Sequence, residues 1–449
     1  MKASSSELSS DLAGGADTIV ALATPPGRGA LALIRVSGSQ AAACARRVCP
    51  GLSFDAGWKA MLTVLLDGAG EVLERAIVTS FPGPRSYTGE DMVEVTVHGS
   101  PFLVGAVIEA FVAAGARQAD AGEFTRRAVA NGKLDLVQAE AVRDLVDAET
   151  AWQQRNARQQ LAGALSVEFE KLRAALVTLL ASIEGSLDYE VQGVAVPAEE
   201  MAAQLEECRS QTAALLATAG AGERLREGLR LVILGPPNSG KSTLFNYLAG
   251  SERAIVSPRA GTTRDLVETE LDLGGVRLVV QDTAGLRTGG DEIEAEGHRR
   301  AKAAAAAADL AVVLWAIDTG INTAPPGLPE DLPAIRVRSK VDLAPGAIVG
   351  DGWFGISCHS GEGLEDFRCE LLRRVLGEVP DLGGAVAIAA RHRRALEAAT
   401  AELAGCDIAT PDTAAENVRW ALRTIHELIG EVSTDDVLDE IYSSFCIGK

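Results

Sequence analysis

The chain is predicted to be multidomain and of mixed class, α+β and α/β, with a doubly wound sheet inserted between two helical stretches. Three features carry that prediction. Short β-rich runs broken by Pro and Gly fill the first 120 residues. A long apolar helical seam runs from 161 to 183. From residue 231 onward, strand-like and helical segments alternate behind a glycine-rich turn. A length of 449 residues fits two or three domains, and 47% hydrophobic content is enough to build their cores.

In order, residues 18–23 and 30–36 read as strands around the loop Pro25-Pro26-Gly27-Arg28-Gly29. Residues 60–66, 75–81 and 92–97 read as further strands, with a break at Phe81-Pro82-Gly83-Pro84, and 102–114 as a helix ending at Gly115. This α+β region is assigned to 1–120, with the polar, Ser-rich first fifteen residues as a disordered lead-in. A helical region follows over 121–221. Helices are expected at 123–130 and 134–148. Leu161, Leu165, Phe169, Leu172, Leu176, Leu179 and Ile183 then form one seam, and another helix runs from Pro197 to about Ala219. Gly220, Gly222 and Gly228 mark a boundary, and 222–380 form the α/β domain. Beyond Gly383-Gly384, residues 381–449 return to helices at 389–403, 414–429 and 434–441. Helices on both sides of the α/β domain imply one bundle interrupted by an insertion.

The chemistry is concentrated at Leu231 to Thr243, where an apolar strand ends in Gly235-x-x-x-x-Gly240-Lys241-Ser242. This is the P-loop spacing, strand first and helix after. The glycines let backbone N–H groups turn toward phosphate oxygens, and the helix N-terminus favours the same anion. Asn238, Ser239, Gly240 and Thr243 surround the phosphates. Lys241 reaches the β- and γ-phosphates and Ser242 offers its hydroxyl to Mg²⁺. Downstream come Gly261-Thr262-Thr263-Arg264-Asp265 and Asp282-Thr283-Ala284-Gly285. A threonine such as Thr263 can reach Mg²⁺ and the γ-phosphate. Asp282 can hold Mg²⁺ through water, and Gly285 permits backbone approach to the γ-phosphate.

Ser339-Lys340-Val341-Asp342 then follows a strand, and Asp342 can accept both the N1–H and the 2-amino group of guanine. Ser357, Cys358 and His359 complete the nucleotide contacts. Together, in order, these strings specify a GTPase rather than an ATPase. Two positions are unusual. Ser339 stands where GTPases carry Asn, and Ser donates only one hydrogen bond. Leu286 follows Gly285, where Ras-type enzymes place a water-orienting Gln, so some other polar group must act, and the acidic stretch 291–296 offers candidates.

A net charge of −20 excludes a large basic surface as the main grip on nucleic acid. Seven dispersed cysteines, with no C-x-x-C pair, fit a reducing cytosol and no zinc site. No signal peptide and no membrane-spanning run is read, so a cytoplasmic protein is expected. The tail ends Phe445-Cys446-Ile447-Gly448-Lys449. Cys446 has the position of a prenylated Cys, but Lys449 and the missing polybasic stretch do not fit that modification.

Taken together, the chain resembles the MnmE (TrmE) family of tRNA-modifying GTPases over nearly its whole length. The resemblance rests on Ala23-Thr24-Pro25-Pro26-Gly27-Arg28-Gly29, on Ser86-Tyr87-Thr88-Gly89-Glu90-Asp91, on Gly122-Glu123-Phe124, on Lys133-Leu134-Asp135-Leu136, on Gly261-Thr262-Thr263-Arg264-Asp265 and on the terminal Cys-Ile-Gly-Lys. It implies an N-terminal folate-binding and dimerising domain, a discontinuous helical bundle and an inserted Ras-like G domain. It implies a homodimer that joins the flavoprotein MnmG in a heterotetramer, with FAD on the partner only, and modifies carbon 5 of the tRNA wobble uridine.

The one-carbon unit would come from a tetrahydrofolate derivative, 5-formyl or 5,10-methylene. By the same resemblance, Arg35, Glu94, Lys133 and Lys449 contact folate. Asn238, Ser257, Arg259 and Thr262 hold K⁺, Glu294 orients water, and Cys446 takes part in the modification. Asp120-Ala121 before Gly122, and Pro236 in the P-loop, depart from the family pattern without removing a ligand group. The rival reading is a regulatory or ribosome-assembly GTPase without modification chemistry.

Overall fold

The computed structural model describes residues 17–53, 57–189, 197–251, 253–254, 268–281, 302–318, 328–329, 331–346, 349–376, 389–430, 441–442, 445 and 448. Contacts gather the chain into two units. One comprises 1–143, 160–170 and 425–449, and the other 144–159 and 171–424. The expected lead-in and the joint at 383–384 lie outside the described residues, as does all but the end of the helix expected at 434–441.

The first unit is built on a six-stranded sheet of order β3-β4-β5-β2-β1-β6. Its strands are β1 (Ile19–Leu22), β2 (Leu31–Ser37), β3 (Ala60–Leu66), β4 (Val72–Phe81), β5 (Met92–His98) and β6 (Arg117–Gln118). β1 and β6 are parallel and the other pairs antiparallel. Alternation along β5 sends Val93, Val95 and Val97 into the core. Helices α1 (Ala41–Val48) and α2 (Pro101–Ala113) cover that face with Cys44, Val48, Val104, Val107 and Phe111. Neither α1 nor β6 was legible. α1 buries Ala41, Cys44, Ala45 and Val48 but has only eight residues, too short a stretch for its periodicity to be read, and β6 has only two residues.

The helices α3 (Glu123–Ala130) and α4 (Leu136–Asp147) lie where they were expected. Ile441, Tyr442 and Phe445 of the C-terminal tail pack on Leu136 and Ala139 of α4.

The apolar seam is split. Leu161 closes α5 (Ala151–Leu161), and α6 (Ala164–Tyr189) starts beyond Gly163. Gln138 Nε2 donates to the Leu161 carbonyl at 3.1 Å, which satisfies a free helix end. The remaining seam residues, Leu165, Phe169, Leu172, Leu176, Leu179 and Ile183, are all buried. Helix α7 (Ala198–Glu227) runs through Gly220 and Gly222 instead of ending near Ala219. Glycine costs about 1 kcal/mol in a helix interior but does not stop it. α10 (Ala390–Ala404) packs along α7, and Arg209 of α7 donates to the carbonyls of Leu403 (2.8 Å) and Cys406 (3.2 Å) at its end.

The second sheet has seven strands in the order β13-β12-β11-β7-β10-β9-β8. These are β7 (Leu229–Leu234), β8 (Arg253–Ala254), β9 (Glu268–Leu273), β10 (Val276–Gln281), β11 (Leu310–Ala316), β12 (Ala334–Ser339) and β13 (Trp353–Ile356). β7 pairs in parallel with both β10 and β11, whereas β9 runs antiparallel to β10. Leu231 and Ile233 face one core and Val232 and Leu234 the other, so β7 is buried on both sides, as a central parallel strand requires. The helices α8 (Lys241–Ser251), α9 (Leu364–Leu376), α10 and α11 (Pro411–Ile429) complete the described fold.

Phe111 is fully buried in the core of the first sheet. Phe111→Ala is expected to cost about 3–5 kcal/mol of stability, read as a lower urea midpoint followed by far-UV circular dichroism. A loss below about 1 kcal/mol would show that α2 does not anchor this core.

Candidate functional site

The phosphate loop occupies the carboxyl end of β7, where the sheet order reverses between β10 and β11. The turn is sterically exclusive. A Cβ on Gly235 would collide with the Leu314 carbonyl oxygen and lie 2.8 Å from Ser239 Oγ, so only glycine lets the loop start so close to β11. Asn238 adopts a left-handed backbone with φ 64°. α8 begins at Lys241, whose Nζ donates to the carbonyls of Gly235 and Pro236, both at 2.9 Å. Ser242 and Thr243 are exposed on its first turn. The N–H groups of a helix's first turn have no intrahelical partner and suit an anion.

A second loop follows β12. Ser339 is buried, and its hydroxyl donates to the Ser239 carbonyl at 2.6 Å. Lys340 takes a left-handed conformation, φ 60°, and a short 3₁₀ turn carries Asp342. A third loop follows β13, where Ser357 Oγ accepts from the N–H groups of His359 (3.2 Å) and Ser360 (3.1 Å). The ends of β7, β12 and β13 therefore bring 238–243, 339–342 and 357–359 to one edge of the sheet.

In the first unit, Arg35 and Glu94 are directly opposed in the β2–β5 register. Arg35 donates to Glu94 Oε1 from Nε at 3.0 Å and from Nη2 at 2.7 Å, and from Nη1 to the Gly448 carbonyl at 3.4 Å. Its guanidinium lies 5.3 Å from the Tyr87 ring centroid and 5.7 Å from that of Phe124. Gly448 sits so close to β1 that a Cβ would strike the Leu22 carbonyl, so the tail docks there only with glycine. Lys133 Nζ donates to the Pro84 carbonyl at 3.1 Å and overlies the same 83–91 loop that carries Tyr87.

A buried charge network fixes that loop. Arg127, 3% exposed, donates to Glu123 Oε1 and Asp17 Oδ1 at 2.9 Å each and to Glu90 at 3.3 Å. Glu90 also accepts from Ser37 Oγ at 2.8 Å, and Arg117 pairs with both Glu123 and Asp17. Burial pushes the Glu123 carboxyl up. Hydrogen bonds from Arg117, the Asp120 N–H and Arg127 outweigh it and hold Glu123 below its ordinary value of 4.5.

Comparison with known proteins gives the family. Residues 18–133 match the N-terminal domain of the GTP-binding protein TrmE, and residues 136–446 match the MnmE helical domain. The chain is 42% identical to the tRNA modification GTPase MnmE of Gluconacetobacter diazotrophicus, over 96% of this chain and 98% of that one. It is 43% identical to the MnmE of Halorhodospira halophila, over 97% and 96%. The chain belongs to the MnmE family of tRNA modification GTPases. Among solved structures it is similar to the G domain of the T. maritima FeoB iron transporter, at 20% identity, 32% of this chain, 98% of that one and a TM-score of 0.23. The fold assignment rests on the strand order above.

In this MnmE-family chain, the structure groups Asn238, Ser239, Gly240, Lys241, Ser242 and Thr243 with Ser339, Lys340, Asp342, Ser357, Cys358 and His359. It also joins Arg35 to Glu94. Ser257, Arg259, Thr262, Thr263, Asp282, Thr283, Ala284, Gly285, Glu294, Cys446 and Lys449 lie outside the described residues. Among the described residues no cluster of His, Cys, Asp and Glu could hold a metal, and no helix is long and apolar enough to cross a membrane.

Sequence reasoning missed the aromatic pair around Arg35, although Tyr87 and Phe124 both fall in strings that carry the family resemblance. It also missed the Arg127 network. The one local hint was Glu123 and Arg127 at i,i+4.

Removing Arg127 leaves three carboxylates short of their shared cation. Arg127→Met is expected to cost about 3–5 kcal/mol. A carboxyl with a lowered folded pKa stabilises above its ordinary value and loses that contribution as pH falls through the folded value. Wild-type stability should therefore drop below about pH 4.5, and the variant's should drop less steeply. Parallel acid limbs in urea titrations would show that Arg127 does not hold Glu123 ionised.

Proposed function

We propose that the chain is a potassium-activated GTPase that works with the flavoprotein MnmG. The pair adds an aminomethyl-type group to carbon 5 of the tRNA wobble uridine, using a one-carbon unit from 5-formyl- or 5,10-methylene-tetrahydrofolate. Residues 1–120 form the folate-binding and dimerising domain, 121–221 and 381–449 the helical domain, and 222–380 the G domain. The protein works in the cytoplasm as a homodimer that joins its partner in a heterotetramer.

The observation that best supports modification chemistry is the tail against Arg35. The Gly448 carbonyl is 3.4 Å from Arg35 Nη1, and buried Phe445 anchors the segment before it. Cys446, the tail cysteine of the family resemblance, precedes Gly448 by two residues in the sequence. Glu94 is an acceptor suited to the N–H edge of a pterin, Arg35 and Lys133 are cations suited to the folate carboxylates, and Tyr87 and Phe124 offer aromatic faces. Folate bound there would supply the one-carbon unit, and these residues would orient it toward the tail.

At the phosphate loop, Lys241 and the first-turn N–H groups bind the β- and γ-phosphates, and Asp342 reads guanine. The exposed Ser242 hydroxyl is a hard oxygen donor that fits Mg²⁺, with Thr263 as its companion. The Asn238 amide oxygen, exposed at the crest of the loop, fits K⁺ together with Ser257, Arg259 and Thr262. Bound there, these ions would supply positive charge that offsets the charge developing at the β–γ bridge. Glu294 would orient the attacking water, a role that Leu286 cannot fill.

GTP turnover by the purified chain is expected to rise at least tenfold (about 1.4 kcal/mol) when potassium replaces sodium at equal ionic strength. Asn238→Ala should abolish the increase. Equal slow rates in both salts would remove the potassium mechanism.

A Cys446→Ser strain should lose the modified wobble uridine, scored by nucleoside mass spectrometry alongside GTP turnover. Persistence of the modified nucleoside would favour a regulatory or ribosome-assembly GTPase.

A further inference from the structure

Ser339 is placed by bonds on two sides. Its carbonyl accepts from the Ile317 N–H at 2.9 Å, and its hydroxyl donates to the Ser239 carbonyl at 2.6 Å. Both serines are buried, Ser239 at 1% and Ser339 at 5% exposure. The direction of the second bond is settled by chemistry, because a carbonyl oxygen can only accept. Ser239 immediately precedes Gly240 and Lys241, so this bond ties the loop after β12 to the phosphate loop. Gly240 adjoins the same side chain, since a Cβ there would lie at ordinary contact distance, 3.6 Å, from Ser339 Oγ.

A serine hydroxyl has one proton. The edge of guanine away from Asp342 presents O6 and N7, and both are acceptors. A hydroxyl whose only proton is committed to Ser239 has nothing to donate to either atom. We propose that Ser339 is a positioning residue for the phosphate loop and does not read the base. Guanine selection then depends on Asp342 at N1–H and the 2-amino group, without a proton from position 339 at N7 or O6. The proposal rests on the assignment of 235–243 and 339–342 to one GTP site.

The test is a ligand-by-variant cycle with the full chain. Isothermal titration calorimetry measures GTP and 7-deaza-GTP, in which N7 becomes C–H, against wild type, Ser339→Ala and Ser339→Thr. Wild type should bind the two nucleotides within twofold of each other. Ser339→Ala should weaken both in parallel by about three- to tenfold, the usual worth of one buried hydrogen bond. Ser339→Thr, which keeps the hydroxyl, should restore both.

Wild type binding 7-deaza-GTP several-fold more weakly than GTP, with the gap closing in Ser339→Ala, would overturn the proposal by showing a base contact. Unchanged GTP affinity in Ser339→Ala would overturn the positioning role. If wild type binds neither nucleotide, the GTP site itself is misassigned and the proposal falls with it. Should Ser339→Ala fail to fold, the wild-type comparison of GTP with 7-deaza-GTP still decides the base contact.

Discussion

The approach of Gly235 to the Leu314 carbonyl is the contact on which the nucleotide half of this protein depends. β7 is buried on both faces and hydrogen-bonded on both edges, so it has no freedom to shift. The chain must leave its end beside β11 and immediately form a loop whose N–H groups point one way. Any side chain at 235 would push that loop off the strand. The P-loop is therefore held by the sheet as much as by its own turns, and the cost of the packing falls on a single residue type.

The first unit solves a related problem with charge. Arg35 and Glu94 face each other across two strands, and each remains partly accessible, at 18% and 20% side-chain exposure. An ion pair of this kind contributes little to stability because water competes for both partners. The rigid partner is Arg127, which is almost wholly buried and fully engaged. It locks the 83–91 loop and α3, and these bring Tyr87 and Phe124 to Arg35. The buried arginine holds the structure, and the accessible one is left at the surface of the same cluster.

How much of this could be read in the sequence depended on the range of the interaction. The P-loop spacing and the strand at 92–97 are local patterns, and the structure has a strand ending before Gly235 and another at β5, where the sequence put them. Local rules failed where tertiary packing decides. α1 spans only eight residues, fewer than the stretch over which helical periodicity can be read. Gly163 divides the seam because its backbone is left-handed, φ 87°, whereas Gly220 and Gly222 divide nothing in α7. A glycine in a sequence shows that a break is allowed, and only the surrounding contacts decide whether it is used.

The partners of the site residues were beyond any local rule. Arg35 and Glu94 are 59 residues apart, Asp17 and Arg127 are 110, and Arg35 and Gly448 are 413. Ser339 shows the difference most clearly. Its side chain alone says that one proton is available where an asparagine would have two. It does not say which of two acceptors, the phosphate loop or the base, receives that proton. The fold answers through proximity, because parallel pairing of β12 to β11 and of β11 to β7 sets Ser339 beside Ser239, a hundred residues earlier. A substitution that looks like a weakened base contact in sequence is, in the folded chain, a choice to keep the loop in place.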